Sequence, residues 1–300
     1  MNDGIVVVVL AAAVAYGTPL LFAALGELLA ERSGVLNLGV EGMMLMGAVI
    51  GFLCVQHVGG SAGVALPIAV AAAAVAGGAC ALILAFLVVT LRANQIVSGL
   101  ALTIFAGAAG LSSYIGNDFE LADDPARFSF EPLDVLGLHD LPVLGPVVFE
   151  QTWLVYASWL AVAAVAFYLW RTRPGLNVRA VGESPAAADA MGIDVTRYRY
   201  LHTVAGGALA GIGGACFSLA LTPQWVDGLT AGAGWIAIAL VIFAFWRPEL
   251  CLVGAYFFGA FQALPYVMTI VVLVAVSSAG ARLRLGAPAG LGIPYVREER

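Results

Sequence analysis

Two polar side chains stand four residues apart in a stretch that starts charged and ends apolar: Asn37 and Glu41, in ERSGVLNLGVEGMMLMGA, residues 31–48. On a helix, that spacing puts both on one face, in line with Leu45 and Ala48. A carboxylate inside a bilayer costs about 2.5–3.5 kcal/mol on insertion scales, and it persists where it meets a partner or water. Three roles are open to Glu41. It can clasp polar groups of a neighbouring span, line a path and meet hydroxyls or base edges, or lie near enough to a membrane surface to be solvated. Other polar candidates come later in the chain. Asn94, Gln95 and Ser98 open an apolar run, as a solvated helix end or as a gate. Thr103 lies inside that run and Ser112, Ser113 and Tyr114 follow it, as path lining or as ordinary helix polarity. Glu27, Glu31 and Arg32 read as an interface anchor.

Several chemistries are excluded. The chain has no lysine, so it cannot form the G-x-x-x-x-G-K-[ST] phosphate loop, and any ATP must bind another chain. Cys54, Cys80, Cys216 and Cys251 lie in apolar runs without C-x-x-C spacing and read as small buried hydrophobes. The histidines at 57, 139 and 202 are scattered and suggest no metal site. No catalytic constellation emerges, and the chain is not expected to be an enzyme.

The elements that position these residues follow from composition. Of 300 residues, 62% are hydrophobic and 11% charged, with mean hydropathy +0.98. A soluble domain carries about 25% charge. This is therefore a polytopic, all-α membrane bundle in a single domain spanning 1–300. About eight apolar segments are expected, near 5–26, 35–56, 62–90, 95–115, 152–170, 200–221, 232–246 and 250–279. The first of these lacks a positive leader region and reads as a span, not a cleaved signal. Pro265 interrupts the last segment and suggests either a break or two short arms, as a re-entrant pair or as two tilted short helices.

Twelve of the thirteen arginines fall on one side if the N-terminus is outside, which makes that side the cytoplasm. The exception, Arg127, lies in the loop 117–150 among eight acids, which is then extracytoplasmic. It reads as a docking surface or as a solvated connector. The tail 280–300 is expected inside the cell. The net charge of −6 says nothing of an acidic or nucleic-acid partner, because the position of the charges decides. Trp235 and Trp246 bracket the seventh segment as an aromatic belt.

The longest cytoplasmic loop, 171–199, contains a small helix with clear punctuation. Ser184 is a candidate N-cap and Pro185 fits the first helical position. Alanines 186–188 and 190 favour helix, and Gly192 can end it in the left-handed conformation. The result, 185–191, is a short smooth knob, either an ordinary surface helix or a docking element.

Five blocks taken together resemble permeases of ATP-binding-cassette importers: RSGVLNLGVEGMMLMGA (32–48), GESPAAADAMGIDVTRYRYL (182–201), GALAGIGGA (207–215), GWIAIALVIFAFWRP (234–248) and PAGLGIPY (288–295). The wider group takes up branched-chain amino acids and ribose-type sugars, and the subgroup most like this chain serves nucleosides. The resemblance implies a multi-pass protein of the cell membrane that works by alternating access. Its partners would be an ATPase, commonly two fused domains that bind the ATP and magnesium, a second and different permease, and a substrate-binding lipoprotein. No cofactor would sit on this chain. Gly182, Glu183, Ser184, Pro185, Ala187, Ala188, Met191 and Gly192 would form the coupling helix that docks on the ATPase. The glycines at 206, 207, 211, 213 and 214 read as a packing seam, inside the chain or against the second permease. One departure stands out. GAYFFGAFQAL and LPYVMTIVVLV nearly abut at 263–265, where the family carries a longer connection. Sugar and branched-chain amino acid import are the alternatives within the class. Outside it stand an ion-coupled secondary transporter, for which only Glu41 is a midplane candidate, and an inactive structural subunit.

Overall fold

The computed structural model describes residues 2–277, apart from 123 and 135–140. The expected tail at 280–300, with PAGLGIPY, lies outside the described residues. Eleven helices carry the described chain. They are α1 (Asn2–Arg32), α2 (Val40–His57), α3 (Ala62–Ala85), α4 (Gln95–Ala106), α5 (Leu111–Asp118), α6 (Trp153–Arg171), α7 (Arg173–Glu183), α8 (Pro185–Ala190), α9 (Val195–Cys216), α10 (Ala233–Phe243) and α11 (Pro248–Ser277). Short π turns extend α3 to Thr90 and α9 to Leu221. The one strand pairing among the described residues is a two-residue antiparallel rung, Leu133–Asp134 against Glu150–Gln151, in the outer loop. Six of these stretches are long and apolar enough to cross a bilayer. With α10 and α11 they account for the eight expected segments.

The central helix is α9, which packs on α1, α2 and α3. Its glycines allow this. Gly206 lies on the backbone of Gly26, Gly211 on Gly47 and on the Ala73 carbonyl, and Gly214 on the Met44 carbonyl. At each contact a β-carbon would collide with backbone. Such small-residue seams let membrane helices approach closely, where dispersion and not water drives association. The glycine seam is thus used up inside the chain, and the option that it receives another permease falls. The four cysteines are unpaired.

Several boundaries differ from expectation, each for a physical reason. The first span runs on to Arg32, and the second begins only at Val40. The segment 33–39 is a bend, so Asn37 and Glu41 do not share a helix. The fourth span is broken at 107–110, between α4 and α5. Nor does Pro265 split the last segment, since α11 is one helix of 30 residues. It runs antiparallel to α1, with Gly17 against Ala255 and Tyr256, and Gly259 against Ala13. Proline is tolerated in a membrane helix where neighbours settle the freed carbonyl. Finally, the loop after Arg171 forms α7 before the short helix begins. Pro174 occupies its first turn, and the Thr172 hydroxyl accepts from the Gly175 N–H at 3.1 Å.

Candidate functional site

The site grows from α10, which has only 11 residues. That gives a rise of about 16 Å, roughly half of a 30 Å hydrocarbon core. A helix this short leaves unpaired N–H groups at one end and C=O groups at the other. Both ends are held by charged side chains from α1 and α2.

At its start, Glu41 Oε1 accepts from the Gly232 N–H at 2.9 Å and the Thr230 hydroxyl at 2.6 Å, and Oε2 accepts from the Gly234 N–H at 2.7 Å. The carboxylate is only 8% exposed. Its negative charge meets the positive end of the helix dipole, and hydrogen bonds to a charged acceptor contribute about 1.5–3 kcal/mol each. The geometry requires glycine at 234, where a β-carbon would sit 2.6 Å from Glu41 Cα. The approach to α10 is tightly turned, with φ of 70° at Gly228, 47° at Ala231 and 87° at Gly232.

At its far end, the Trp246 carbonyl accepts from Arg32 Nη2 at 2.8 Å and Nε at 3.3 Å, while the Trp246 indole N–H donates to Glu31. A guanidinium thus holds the turn that follows α10, whose last carbonyls at 240–242 are taken by the N–H groups of 244–246. Arg32 also lies over the Trp170 ring, as does Arg179. Trp246 is therefore a clamp and not a belt residue, whereas Trp235 is 40% exposed. Glu27 is no interface anchor either, because it is fully buried and accepts from the Asn37 N–H at 3.1 Å.

The bend 33–39 is strapped in the same way. Leu36 N–H donates to Gln95 Oε1 at 2.8 Å, Gly39 N–H to Asn37 Oδ1 at 3.0 Å, and the Thr103 hydroxyl to the Leu38 carbonyl at 2.8 Å. Side chains thus replace the helical ladder where the backbone leaves it. Of the expected polar residues, Asn37, Glu41 and Thr103 come together around this bend. Asn94 caps α4 by accepting from the Val97 N–H at 3.1 Å, and Ser98 is buried one turn on. Asn37, Glu41 and Ser98 are buried in this chain. Thr230, Gly232 and Gly234, the partners of Glu41, gave no signal in the sequence beyond a glycine-rich TAGAG run.

On the Arg32 side of the molecule, α7 packs on α1, α6 and α9, and α8 follows it. Gly182 packs on the Arg32 carbonyl. Ser184 precedes Pro185 but its side chain makes no cap bond, so its carbonyl, bonded to the Ala188 N–H at 3.0 Å, starts the helix instead. Glu183 and Ala187 are exposed and Met191 is 81% exposed, while Ala188 faces inward. Gly192 takes a left-handed φ of 79° at the exit. The outer loop lies over the bundle, with the Ala126 N–H on the Pro223 carbonyl and Gln56 Nε2 on the Pro125 carbonyl. Beneath it opens a cavity of about 690 Å³ between α3 and residues 126–133. No group of three metal-ligating side chains forms among the described residues.

Residues 9–279 match the family described as the permease component of branched-chain amino acid transport systems. Over 84% of its length and 75% of the relative's, the chain is 45% identical to a putative glucose ABC transporter permease of Haloferax volcanii. It is 34% identical to a guanosine ABC transporter permease of Bacillus subtilis over 98% of each chain. It is 32% identical to a nucleoside ABC transporter permease of Lactococcus lactis over 95% of each. No solved structure matches it.

Proposed function

The chain belongs to the permease-component family of branched-chain amino acid transport systems, and on that footing we propose that it is the membrane subunit of a nucleoside importer. Membership makes it a multi-pass protein of the plasma membrane that works with an ATPase, in a family of transporter permeases and not of enzymes. The nucleoside reading rests on the two relatives that align over nearly the whole of both chains. A sugar such as glucose is the second reading, favoured by the 45% identity to the Haloferax volcanii protein. Cargo would cross by alternating access, between this chain and a second permease, after delivery by an external binding lipoprotein. ATP and magnesium would stay on the ATPase.

Gly182–Gly192, with α8 at its centre, would carry the ATPase's motion to the spans. The exposed Ala187 and Met191 are the groups placed to meet a partner, and Ala188 holds the helix to the body. Ala187→Arg should then abolish co-purification of the ATPase and leave membrane insertion intact. Ala188→Arg should lower the protein level instead. Unchanged co-purification in an abundant Ala187→Arg protein would end the docking reading.

Uptake of labelled adenosine, uridine, glucose, ribose and leucine, in cells with and without the gene, tests the function. Loss of nucleoside uptake alone supports the first reading and loss of sugar uptake the second. Loss of leucine uptake alone would overturn both and keep the class.

A further inference from the structure

The family places a permease in the bilayer without saying which face the cargo passes. The polar residues first singled out, Asn37, Glu41 and Ser98, are buried in this conformation. Another part of the molecule is physically required to meet water.

Two breaks interrupt the bundle at the same depth. From the cytoplasmic end, α4 rises 12 residues before it stops at Ala106, about 18 Å. Measured from the Arg32 end, α10 begins about 16 Å in. Both distances lie near the middle of a core about 30 Å thick. The breaks are joined. A β-carbon on Gly228 would lie 3.6 Å from Ala108 Cβ, and Gly116 of α5 packs on the Trp225 indole. Yet Ala108, Ala109 and Ala231 are exposed. Hydrocarbon cannot hydrogen-bond the irregular backbone there, so non-helical segments at this depth occur only under protein or beside water. The α11 side of the molecule differs. Regular helix there presents Phe243, Val253, Phe257 and Phe261 in the open, around an entirely apolar groove between α10 and α11. That flank suits lipid.

The start of α10 also bears on the cargo. Half-helix N-termini commonly receive anionic groups of a substrate. Here Glu41 already takes the Gly232 and Gly234 N–H groups, so a carboxylate would find a negative charge where it needs donors. Trp235 stands beside the break, half-exposed and 3.8 Å from a β-carbon position on Gly232. Its ring offers a platform for a flat or apolar ring face.

We propose that the joined break, Gly107–Gly110 with 226–232, is the wall of a water-filled path for an uncharged, ring-bearing cargo, with Trp235 as the stacking surface. This rests on the permease reading and deepens it.

The test uses the full chain with its partner subunits in native membranes, with Cys54, Cys80, Cys216 and Cys251 replaced by alanine. Single cysteines are then introduced by Ala108→Cys, Ala231→Cys and Val253→Cys. A permanently charged methanethiosulfonate should modify the first two about tenfold faster than Val253→Cys, because only a hydrated thiol ionises and reacts readily. A lipid-soluble maleimide, which partitions to it, should label Val253→Cys slowly, through the small thiolate fraction there. If the break cysteines react only with the maleimide, they face lipid. If they react with neither, another chain covers them. Either result overturns the wall. For the stacking surface, Trp235→Ala should raise the KM of uptake about tenfold while Trp235→Phe stays near the parent, as expected for loss of one ring stack. Equal KM in all three overturns it. Loss of function of the permease reading itself would appear separately, as unchanged uptake when the gene is deleted.

Discussion

The bend at 33–39 and the break at 107–110 with 226–232 are both departures from helix inside an apolar bundle, and they are resolved in opposite ways. At the bend, side chains from α1 and α4 reach every irregular turn: Glu27 and Gln95 accept from its N–H groups, and Thr103 donates to its carbonyl. Its core residues, Ser33, Val35, Asn37 and Gly39, are buried. At the break, left-handed turns succeed one another at 228, 231 and 232, and alanines stand exposed. A closed irregularity of the first kind fixes where helices begin. An open one of the second kind closes part of its backbone on itself, as at the Gly107, Gly228 and Thr230 carbonyls, and sets the exposed remainder beside water. Glu41 joins the two, since it begins the helix after the bend and holds the helix after the break.

The largest effect is therefore expected at Glu41. Glu41→Leu strands the Thr230 hydroxyl and two N–H groups, at about 1–3 kcal/mol for each buried donor left unmade. Total stability is only about 5–15 kcal/mol, so the protein level in membranes, measured by immunoblot, should fall severalfold. Glu41→Gln keeps an acceptor and should be milder. A Gln variant that is abundant but transport-dead would move Glu41 from clasp to path. So would a Leu variant at the parent's level.

How much of this was legible beforehand divides along physical lines. Membrane class and the eight apolar segments follow from composition, which bilayer thermodynamics reads directly. The partner of Glu41 was not legible, because it lies 189 residues away and a carboxylate looks alike whether it faces protein, path or water. The break in the fourth span hides in GAAG, 107–110, since glycine and alanine are as common in packed membrane helices as at their ends. The helix α7 was missed because RPGLNVRAVGE opens with Pro174 and Gly175, which read as loop. The buried Val178 and Val181, three apart on one face, were the available signal.

A smaller effect is expected where the break packs on the clasp. Gly234→Ala places a methyl 2.6 Å from Glu41 Cα, and overpacking of this kind costs about 1–3 kcal/mol. The start of α10 would shift away from α2, which loosens the clamp without removing the charge. Thermal unfolding of the detergent-purified protein should show a lower midpoint than the parent but a higher one than Glu41→Leu. A midpoint at or below that of Glu41→Leu would mean that close packing, more than the carboxylate, holds α10 in place.

The smallest effect separates a strap from a path residue at the bend itself. Thr103→Val keeps shape and volume and removes the hydroxyl that donates to the Leu38 carbonyl. In a closed bend that carbonyl has no water to turn to, and the loss should be about 1 kcal/mol, seen as a modest drop in the unfolding midpoint with the KM of uptake unchanged. Were Thr103 part of an open path, water would replace the hydroxyl at the carbonyl and the midpoint would hold. The cargo would instead lose a polar contact, and KM would rise. The two regions differ in whether water reaches their backbone, and at Thr103 a single methyl for hydroxyl exchange measures that access from the closed side.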